Sequence, residues 1–580
     1  MKRSNVKTLF AGLVAGLAIL VLALHTLASG AESDRLSVAR AAAPAGQDAT
    51  PLAEDDILAA TNCRYGVGYL PSLSASLAWI PTLDAGWFIN FSASTFGQNV
   101  RSASFAPVIR LRQVQLPGGV RTDDYTVTPP LTYRYRDDNG NWQDGLGALI
   151  SRNRGHYWLV GNEVDVNNPV QDNTMPQVYA RAYHEVYNYI KKADPTAKVA
   201  IAGLSMMTPG RLNYLSIVWD TYQTLYGEPM PVDIWNMHLY ILEERNPAEP
   251  ENGYGDGKIA LGTDPALAKW SSQGFADRCP APGDTSADPR LDVHCRSEHD
   301  SIRIFRDQVY GMRQWMKDHG QQNKPLIISE YGLLYPYVLE ANGQYFLKDE
   351  HGRPFDPTRV TNYLRGTINF LETAKDPNLG YPADGNRLVQ QWLWYSLATG
   401  PETSGGSSNL IKWDTFQSAT PGDPAQLTLM GQAFQQLANA SENWTNLVGG
   451  TARNVVTVIS RQNNKGAALL TATFRNSGTL SAIQPIKVTF YSNQALTQEI
   501  GSVVYDPNVR GAVAGCSWGG RNSEQASILW SNLAPGTYQY WAKIDTLNAV
   551  GETVETDNVT TAGRVTVRPY GTYVPITSRQ

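Results

Sequence analysis

The sequence predicts a mixed α/β fold, in which an eight-stranded (β/α)₈ TIM barrel is followed by a small all-β sandwich. Over residues 61–442, short apolar runs alternate with amphipathic helical patterns, and several runs are continuously apolar, as in parallel sheets buried on both faces. After about residue 450 the helical period disappears, and alternating runs are separated by turn residues. A chain of 580 residues is also too long for one ordinary core, so two folded domains are expected.

Eight runs in the first domain have the length and composition of strands. They are Tyr65–Tyr69, Trp87–Phe91, Val108–Val114, Tyr157–Gly161, Lys198–Leu204, Asp233–Leu239, Pro325–Ser329 and Val389–Tyr395. Helices are predicted between them, for example over Pro176–Lys192, Ser301–His319 and Leu427–Leu437. The two largest insertions, 115–150 and 241–298, follow the carboxyl ends of the third and sixth strands, where barrel active sites are built.

The second domain, residues 451–570, is typical of an antiparallel β-sandwich with an immunoglobulin-like architecture. Its alternating runs include Ala468–Phe474, Ile486–Tyr491, Ser527–Trp530 and Tyr538–Ile544. Turn-rich pieces lie between these runs, and no helical period is present.

The N-terminal segment, residues 1–31, has the layout of a signal peptide. Three basic residues precede the apolar run Leu9–Leu24, and small residues follow at 28–31. The protein is therefore expected to be secreted. The apolar run can be extended over residues 9–28, so an uncleaved membrane anchor is the alternative. Residues 32–60, rich in Ala, Pro, Asp and Ser, are predicted to be a linker.

Composition limits the possible partners. A net charge of -5 argues against nucleic acid, which requires a basic face. The 15 Trp and 29 Tyr residues suit sugar faces, since C–H groups of a sugar pack on an aromatic plane, although large barrels and sandwiches bury many aromatics in any case. A carbohydrate partner is therefore favoured, and a membrane is a partner only through the N-terminal segment.

The four cysteines suit an extracellular protein. Cys279 and Cys295 lie close together in a Pro/Gly/Asp-rich stretch, so a local disulfide is expected. Histidines at 294 and 299 raise a zinc site, but the spacing matches no familiar ligand pattern. Cys63 and Cys516 are far apart in sequence and are expected to be free. No metal and no cofactor are predicted.

Two predicted strands end abruptly in a glutamate. The fourth strand is followed by Asn162 and Glu163, and the seventh is followed by Glu330, directly after Ser329. In an eight-stranded barrel the fourth and seventh strands lie across the mouth from each other, so their end residues can converge on one cleft. Two facing carboxyl groups are what cleavage of a glycosidic bond needs, one as the acid and one as the nucleophile.

With these two motifs, Asn162-Glu163 and Ser329-Glu330, the barrel region resembles glycoside hydrolase clan A. The resemblance implies a retaining hydrolase that cleaves a poly- or oligosaccharide by double displacement. Glu163 would be the acid/base, Glu330 the nucleophile, and Asn162 a partner of the sugar 2-hydroxyl. Val164 stands where proline usually follows in the clan, which leaves the family within the clan open.

The same resemblance implies roles for residues on the sixth and eighth strands. His238 and Tyr240 would support the nucleophile and bind substrate, and Asn236 lies along the same strand. A satisfied core histidine is the alternative reading for His238. Trp392 and Trp394 share a face of the eighth strand, and Trp394, nearer the rim, is predicted to floor a sugar subsite.

Two arginines, Arg110 and Arg112, share a face of the third strand. A buried arginine here could bind substrate or hold Glu330 ionised, with a low pKa. The alternative is that either arginine pairs with an acidic loop, and the sequence does not decide between these readings.

The second domain resembles the bacterial CARDB adhesion module through residues 471–478 and 552–558. Such a module would bind polysaccharide, bind the cell surface or act as a spacer. For the whole chain, two functions other than a hydrolase stay open. One is a non-catalytic carbohydrate-binding or cell-surface adhesion protein, and the other is a transglycosidase that uses the same glutamates.

Overall fold

The computed structural model describes residues 58–68, 78–93, 103–242, 244, 259–268, 279, 295–337, 348–416, 422–459, 464–516 and 524–569. The predicted signal peptide or anchor, most of the linker and most of the 241–298 insertion lie outside these ranges, so they stay predictions. Within these ranges, none of the helices combines the length and the apolar character that crossing a bilayer requires.

The first domain contains twelve strands and eight helices in the described residues. The strands are β1 (Asn62–Gly68), β2 (Ala85–Ile89), β3 (Ser104–Phe105), β4 (Val108–Leu116), β5 (Val120–Thr128), β6 (Arg134–Arg136), β7 (Trp142–Asp144), β8 (Tyr157–Asn162), β9 (Lys198–Gly203), β10 (Trp235–Leu239), β11 (Leu326–Tyr331) and β12 (Gln391–Tyr395). The helices are α1 (Trp79–Thr82), α2 (Leu146–Arg152), α3 (Pro176–Ala193), α4 (Pro209–Tyr226), α5 (Ile302–Asp318), α6 (Pro357–Thr373), α7 (Trp413–Phe416) and α8 (Leu429–Ala440).

Parallel pairing confirms the mixed α/β class. One sheet has the order β10-β11-β12-β1-β2-β3 and is parallel throughout, and a second has the order β5-β4-β8-β9. A parallel bridge between Ala200 and Ile234 links β9 to the chain entering β10. The third predicted strand, Val108–Val114, lies within β4, which pairs with β8. The short strand β3 precedes it and pairs with β2, and Pro107, which lacks a backbone N–H, lies between β3 and β4.

Helix formation follows from apolar residues that share one face, as in α3, and from side-chain caps at the N-terminus, as in α4 and α6. In α3, Pro176 occupies the first turn, where a missing N–H costs nothing. The apolar residues at helical spacing are buried, namely Val178, Ala182, Val186 and Ile190. The side chain of Thr208 caps α4, and the Asp356 side chain caps α6 by accepting from two backbone N–H groups.

The insertion at 115–150 folds into two hairpins beyond the rim of the parallel strands. β4 continues past its pairing with β8 and turns back as β5, and β6 pairs with β7. The face of β4 that carries Val108 is buried, and Arg110 and Arg112 continue that same face outward.

The second domain consists of two antiparallel sheets around its own core. Its elements are β13 (Leu447–Ile459), β14 (Gly466–Asn476), β15 (Ile486–Tyr491), β16 (Glu499–Tyr505), α9 (Pro507–Arg510), β17 (Glu524–Leu533), β18 (Gly536–Lys543) and β19 (Gly563–Val567). One sheet has the order β13-β14-β17 and the other β16-β15-β18-β19. Buried residues of both sheets, for example Leu470 and Phe490, form one hydrophobic cluster.

The expectation that Cys63 and Cys516 are free is wrong, because they form a disulfide across 453 positions of sequence. The start of β1 lies against the second domain, where the Cys63 N–H donates to the Thr479 carbonyl at 2.9 Å and brings the two cysteines together. Cys279 and Cys295 form the other disulfide. Sequence alone could not pair Cys63, since its partner depends on how the domains dock.

Candidate active site

The two strand-end glutamates, Glu163 and Glu330, reach the same side of the sheet by different routes. Glu163 follows β8 with a φ of 46°, a left-handed backbone that residues other than glycine adopt rarely. Glu330 lies within β11 after a register shift, since Met237 pairs with Ile328 but His238 pairs with Glu330. Strict alternation would place Glu330 on the face of buried Ile328, and the bulge at Ser329 re-aims it toward Glu163.

The carboxylates of Glu163 and Glu330 and the His238 ring form one compact group. One carboxylate oxygen from each glutamate and one ring nitrogen of His238 all lie within 4.8 Å of one another. His238 Nδ1 is 3.1 Å from Glu163 Oε1 and 3.5 Å from Glu330 Oε2. The Tyr240 hydroxyl donates to Glu330 Oε1 at 2.6 Å. Both glutamates are buried, so each charge interacts strongly with the other.

The His238 ring fits between the glutamates because Gly203 on β9 carries no side chain. A Cβ at Gly203 would lie 2.1 Å from His238 Cδ2, which is an overlap. The backbone N–H of His238 donates to the Leu204 carbonyl at 2.8 Å. The ring is therefore held against the glutamates by the neighbouring strand.

The site perturbs the acidity of its own groups. Burial raises the pKa of Glu330 to about 7. The charge of Glu163 adds to this effect, whereas His238 and the hydrogen bond from Tyr240 oppose it. For His238, burial lowers the pKa, but Glu330, Glu163 and Asp165 outweigh burial and raise it. Of the two readings that the sequence left open for the arginines, the one with a low Glu330 pKa is therefore wrong. The arginine effect has the expected sign, because Arg110 does lower the Glu330 pKa, but burial outweighs it.

Arg110 and Arg112 pair with an acidic loop, the alternative that the sequence left open. Arg110 Nε is 2.6 Å from Asp172 Oδ1, and Arg112 Nε is 3.8 Å from the same oxygen. The other Asp172 oxygen accepts from the backbone N–H groups of Leu111 and Asn162. Asp172 thus fixes the end of β8 to β4. Asn162 itself is buried, and its Nδ2 donates to Gln171 at 2.8 Å.

Trp394 does not line the cleft, so its predicted role as a sugar platform is wrong. It is fully buried, its Nε1 donates to the Ser408 carbonyl, and its ring packs edge-on against Tyr331. The face of β12 that looks toward the glutamates is the one with Leu393, which belongs to a separate buried cluster drawn from strands of both sheets. On that face the residue nearest the rim is Tyr395, whose ring centroid lies 6.2 Å from Phe91.

Asn236 also has a structural position. It is fully buried below His238 and donates to the Ile201 carbonyl at 3.2 Å, so it does not reach the cleft.

Tyr240, by contrast, contacts Glu330 directly. Burial and the charge of Glu330 raise the pKa of Tyr240 well above its usual range, which keeps its hydroxyl a proton donor.

A buried charged network holds the loop that follows Glu163. The Asp165 carboxylate accepts from Ser205 Oγ at 3.0 Å and pairs with Arg211 at 3.0 Å, and Arg211 also pairs with Glu244 at 3.0 Å. These side chains are almost fully buried, so removing one would leave an uncompensated charge. The sequence does not reveal this network, because Asp165 and Arg211 are 46 positions apart and only the fold brings them together.

A neutral histidine holds the loops that follow β10 and β11. His299 Nδ1 lies 2.6 Å from the Ile241 carbonyl, and its Nε2 accepts from the Leu334 N–H at 2.9 Å. One ring nitrogen must donate and the other must accept, so the ring is uncharged in this geometry. Burial lowers the pKa of His299 to about 4, consistent with that state. The histidine thus bridges the loops next to Tyr240 and Glu330.

Among the residues that the structure describes, two groups of side chains have nitrogen, oxygen or sulfur atoms close enough together for a metal ion. In the group of Cys279, Cys295 and Glu350, the cysteines are joined in a disulfide, so their thiolates are not offered. In the group of Glu163, His238 and Glu330, the donors already hydrogen-bond one another and Tyr240.

Comparisons with known proteins give matches only among solved structures. No family model matches the chain, and no curated protein matches it. A glycoside hydrolase family 128 endo-β-1,3-glucanase from Amycolatopsis mediterranei, solved with laminaritriose, is 13% identical, covers 64% of this chain and 99% of its own, and has a TM-score of 0.34. An endo-laminarinase from Formosa is 12% identical over 62% of this chain and 85% of its own, with a TM-score of 0.33.

A shorter structural match is also found. The CARDB domain of a Pyrococcus furiosus protein, solved with two metal ions, is 17% identical. It covers 22% of this chain and 99% of its own length, with a TM-score of 0.16.

Proposed function

We propose that this chain is a retaining glycoside hydrolase that cleaves a poly- or oligosaccharide by double displacement. The observation that carries the proposal is the approach of Glu163 and Glu330, each of which places one carboxylate oxygen within 4.8 Å of an oxygen of the other. Retaining enzymes hold their two carboxyl groups about 5–5.5 Å apart, whereas inverting enzymes leave about 6.5–9.5 Å for a water molecule. The short separation therefore favours a nucleophile over a water-activating base.

The surroundings of each glutamate suggest how the roles are divided. Glu330 accepts a hydrogen bond from Tyr240 and lies near His238, and both contacts favour its ionised form, the one that attacks the anomeric carbon. Glu163 would donate its proton to the leaving oxygen as the sugar bonds to Glu330. In the second step Glu163 would take a proton from water, which attacks the same carbon and releases Glu330.

A closed eight-stranded barrel is part of the proposal. Its support is that the parallel pairings run from β10 round to β3 in one sheet and from β4 to β9 in the other. Pro107 joins β3 to β4, and the bridge from Ala200 to Ile234 joins the other ends. A separate buried cluster draws on strands of both sheets, among them Trp87, Leu159 and Leu393. Such a cluster is what the interior of a small barrel requires.

The proposed activity is tested with a panel of neutral and acidic polysaccharides, using the full chain without its N-terminal 31 residues. We expect release of reducing ends by the wild type and no release by Glu330→Gln. Addition of EDTA is expected to leave the rate unchanged, because no step uses a metal. Binding without turnover across the panel would support the adhesion protein instead, and the hydrolase proposal would be abandoned.

Secretion is proposed from residues 1–31 alone. Expression of the full chain in a bacterial host, followed by N-terminal sequencing of the protein outside the cytoplasm, would separate a cleaved signal peptide from an uncleaved anchor.

Chromatography of products made with an added sugar acceptor would separate hydrolysis from transglycosylation. A product longer than the substrate would favour the transglycosidase.

A further inference from the structure

A cationic face of the β4–β5 hairpin continues the inner surface of the parallel strands above the glutamates. Arg110 pairs with Thr128, and Arg112 pairs with Thr126, in the antiparallel register. Residues directly opposite in such a pair share a face, so these four side chains project together. We call these four residues the arginine face. Because Val108 on the same face belongs to the core enclosed by the strands, the arginine face looks toward the cleft.

The arginine face is electrically unbalanced. Among the described residues, both guanidinium groups lie within ion-pair distance of one carboxylate only, that of Asp172. Asp172 is fully buried and also accepts from two backbone N–H groups. Arg110 and Arg112 additionally donate to one shared carbonyl, that of Val170. Within ion-pair distance, the two guanidinium charges face the single carboxylate charge of Asp172, so one positive charge is in excess.

The excess charge is exposed where a sugar would lie. The Arg112 side chain is 49% exposed, whereas that of Arg110 is 18% exposed and that of Asp172 is buried. Arg110 is close enough to lower the Glu330 pKa, and Arg112 is two residues further along the strand, roughly 7 Å away. Thr126 and Thr128, both exposed, offer hydroxyls beside it. The guanidinium of Arg112 is therefore placed to contact a sugar unit next to the one that is cleaved.

We infer that the arginine face binds an acidic sugar unit, so that the substrate is a polysaccharide bearing carboxylate or sulfate groups and Arg112 is the residue that selects it. The inference rests on the proposed hydrolase function and adds the substrate class. A guanidinium forms two parallel hydrogen bonds with a carboxylate or sulfate, which a neutral hydroxymethyl group at the same position cannot match.

The test uses matched ligands that differ only in charge. Uronic acid oligosaccharides (glucuronate, mannuronate and galacturonate series) are compared with the same oligosaccharides after reduction of each carboxyl to a hydroxymethyl group. Binding is measured by calorimetry to the Glu330→Gln protein, which is expected to bind without cleaving. We expect at least one acidic oligosaccharide to bind about tenfold more tightly than its reduced counterpart, with an advantage that shrinks as salt is added.

Variants at Arg112 assign the preference. In the Glu330→Gln background, Arg112→Gln is expected to remove the advantage of the acidic ligand, and Arg112→Lys to keep part of it, because lysine retains the charge without the fork. The matched control is Arg303→Gln on α5, an arginine of similar exposure that pairs with Asp307. The control is expected to bind both ligands as the parent does. Thermal unfolding of each variant shows whether the fold is intact.

Two results would overturn the inference. Either equal binding of acidic and reduced ligands, or an acidic preference that persists in Arg112→Gln, would show that the arginine face does not select the substrate. The proposed function is judged separately by turnover in the wild type. Hydrolysis of neutral polymers without any acidic preference would leave the hydrolase in place and remove the inference, whereas no turnover on any polymer would remove the hydrolase itself.

Discussion

The ends of β8 and β11 look alike in sequence but differ in their surroundings. Each is an apolar strand that delivers one glutamate, yet Glu163 follows its strand in a left-handed conformation, and Glu330 lies within its strand beside a bulge. Glu163 contacts His238, whereas Glu330 also accepts from Tyr240. The difference shows that the hydrogen bonds of a strand-end carboxylate are set by its neighbours on adjacent strands.

The loops that follow the two glutamates are also held differently. Beyond β8 the loop is fixed by buried charges, with Asp165 paired to Arg211. Beyond β10 and β11 the loops are fixed by the uncharged ring of His299. The first arrangement depends on paired charges, and the second fails when the ring gains a proton.

Glu330→Gln should have the largest effect on the rate, because it removes the nucleophile while keeping the shape of the side chain. We expect the rate of hydrolysis to fall roughly 10⁴-fold or more, for substrates with good and poor leaving groups alike. The measurement is the initial rate on the polysaccharide that the wild type cleaves, with circular dichroism to check the fold. A rate within tenfold of the wild type would show that Glu330 is not the nucleophile.

Glu163→Gln should have a smaller and more selective effect. A general acid typically contributes about 10²–10⁴-fold, and a leaving group that departs without a proton does not need it for the first step. We therefore expect a large loss on the polysaccharide and a much smaller loss in the first step with a dinitrophenyl glycoside of the same sugar. Added azide should restore turnover of the aryl glycoside, since it attacks without base assistance. Equal losses on both substrates would contradict the division of roles between the two strand ends.

Tyr240→Phe should separate the two ends further, since only Glu330 bonds to this hydroxyl. Loss of a hydrogen bond to a charged group costs about 1.5–3 kcal/mol, or roughly 10- to 100-fold in rate. The attacking form of Glu330 is ionised, so activity should fall as the pH drops through about 7, the Glu330 pKa. Tyr240 lowers that pKa, so in Tyr240→Phe this fall should move to higher pH. A kcat/KM profile with an unmoved limb would show that Tyr240 does not act on Glu330.

His299 should give the smallest effect on chemistry and a clear effect on stability. Its pKa is about 4 in the fold and about 6.5 when exposed, so between these values the unfolded chain binds more protons and stability is lost as the pH falls. Above about pH 6.5 the contribution is constant. The expected loss by pH 4 is on the order of 3 kcal/mol. Melting temperatures from pH 4 to 8 should therefore slope less steeply for His299→Gln than for the wild type, and parallel curves would contradict the bridging role.

Much of the fold was predictable because its signals are local. Each of the eight predicted strands overlaps an observed strand, and α3 and α5 begin and end within one residue of their predicted bounds. The glutamates, His238 and Tyr240 could be singled out because polar residues at the end of an apolar strand stand out in one short window. Their approach to one another follows from parallel strands that share a carboxyl edge.

The features that sequence missed depend on register and on distant packing. Alternation alone could not show that the bulge at Ser329 turns Glu330 inward. Alternation places Trp392 and Trp394 on one face of β12 but does not show which face points inward, and only the position of Leu393 in a separate buried cluster shows that it is the other one. The pairing of Cys63 with Cys516 needs the docked second domain, so no local pattern announces it.

The stereochemistry of the first product tests the central claim most directly. Hydrolysis of a cleaved oligosaccharide is followed by proton NMR within the first minutes, before the new reducing end mutarotates. Attack by Glu330 and then by water inverts the anomeric carbon twice, so the first-formed anomer should have the same configuration as the bond that was cut. A first-formed anomer of opposite configuration would mean that water attacks directly, and Glu330 would then not be a nucleophile.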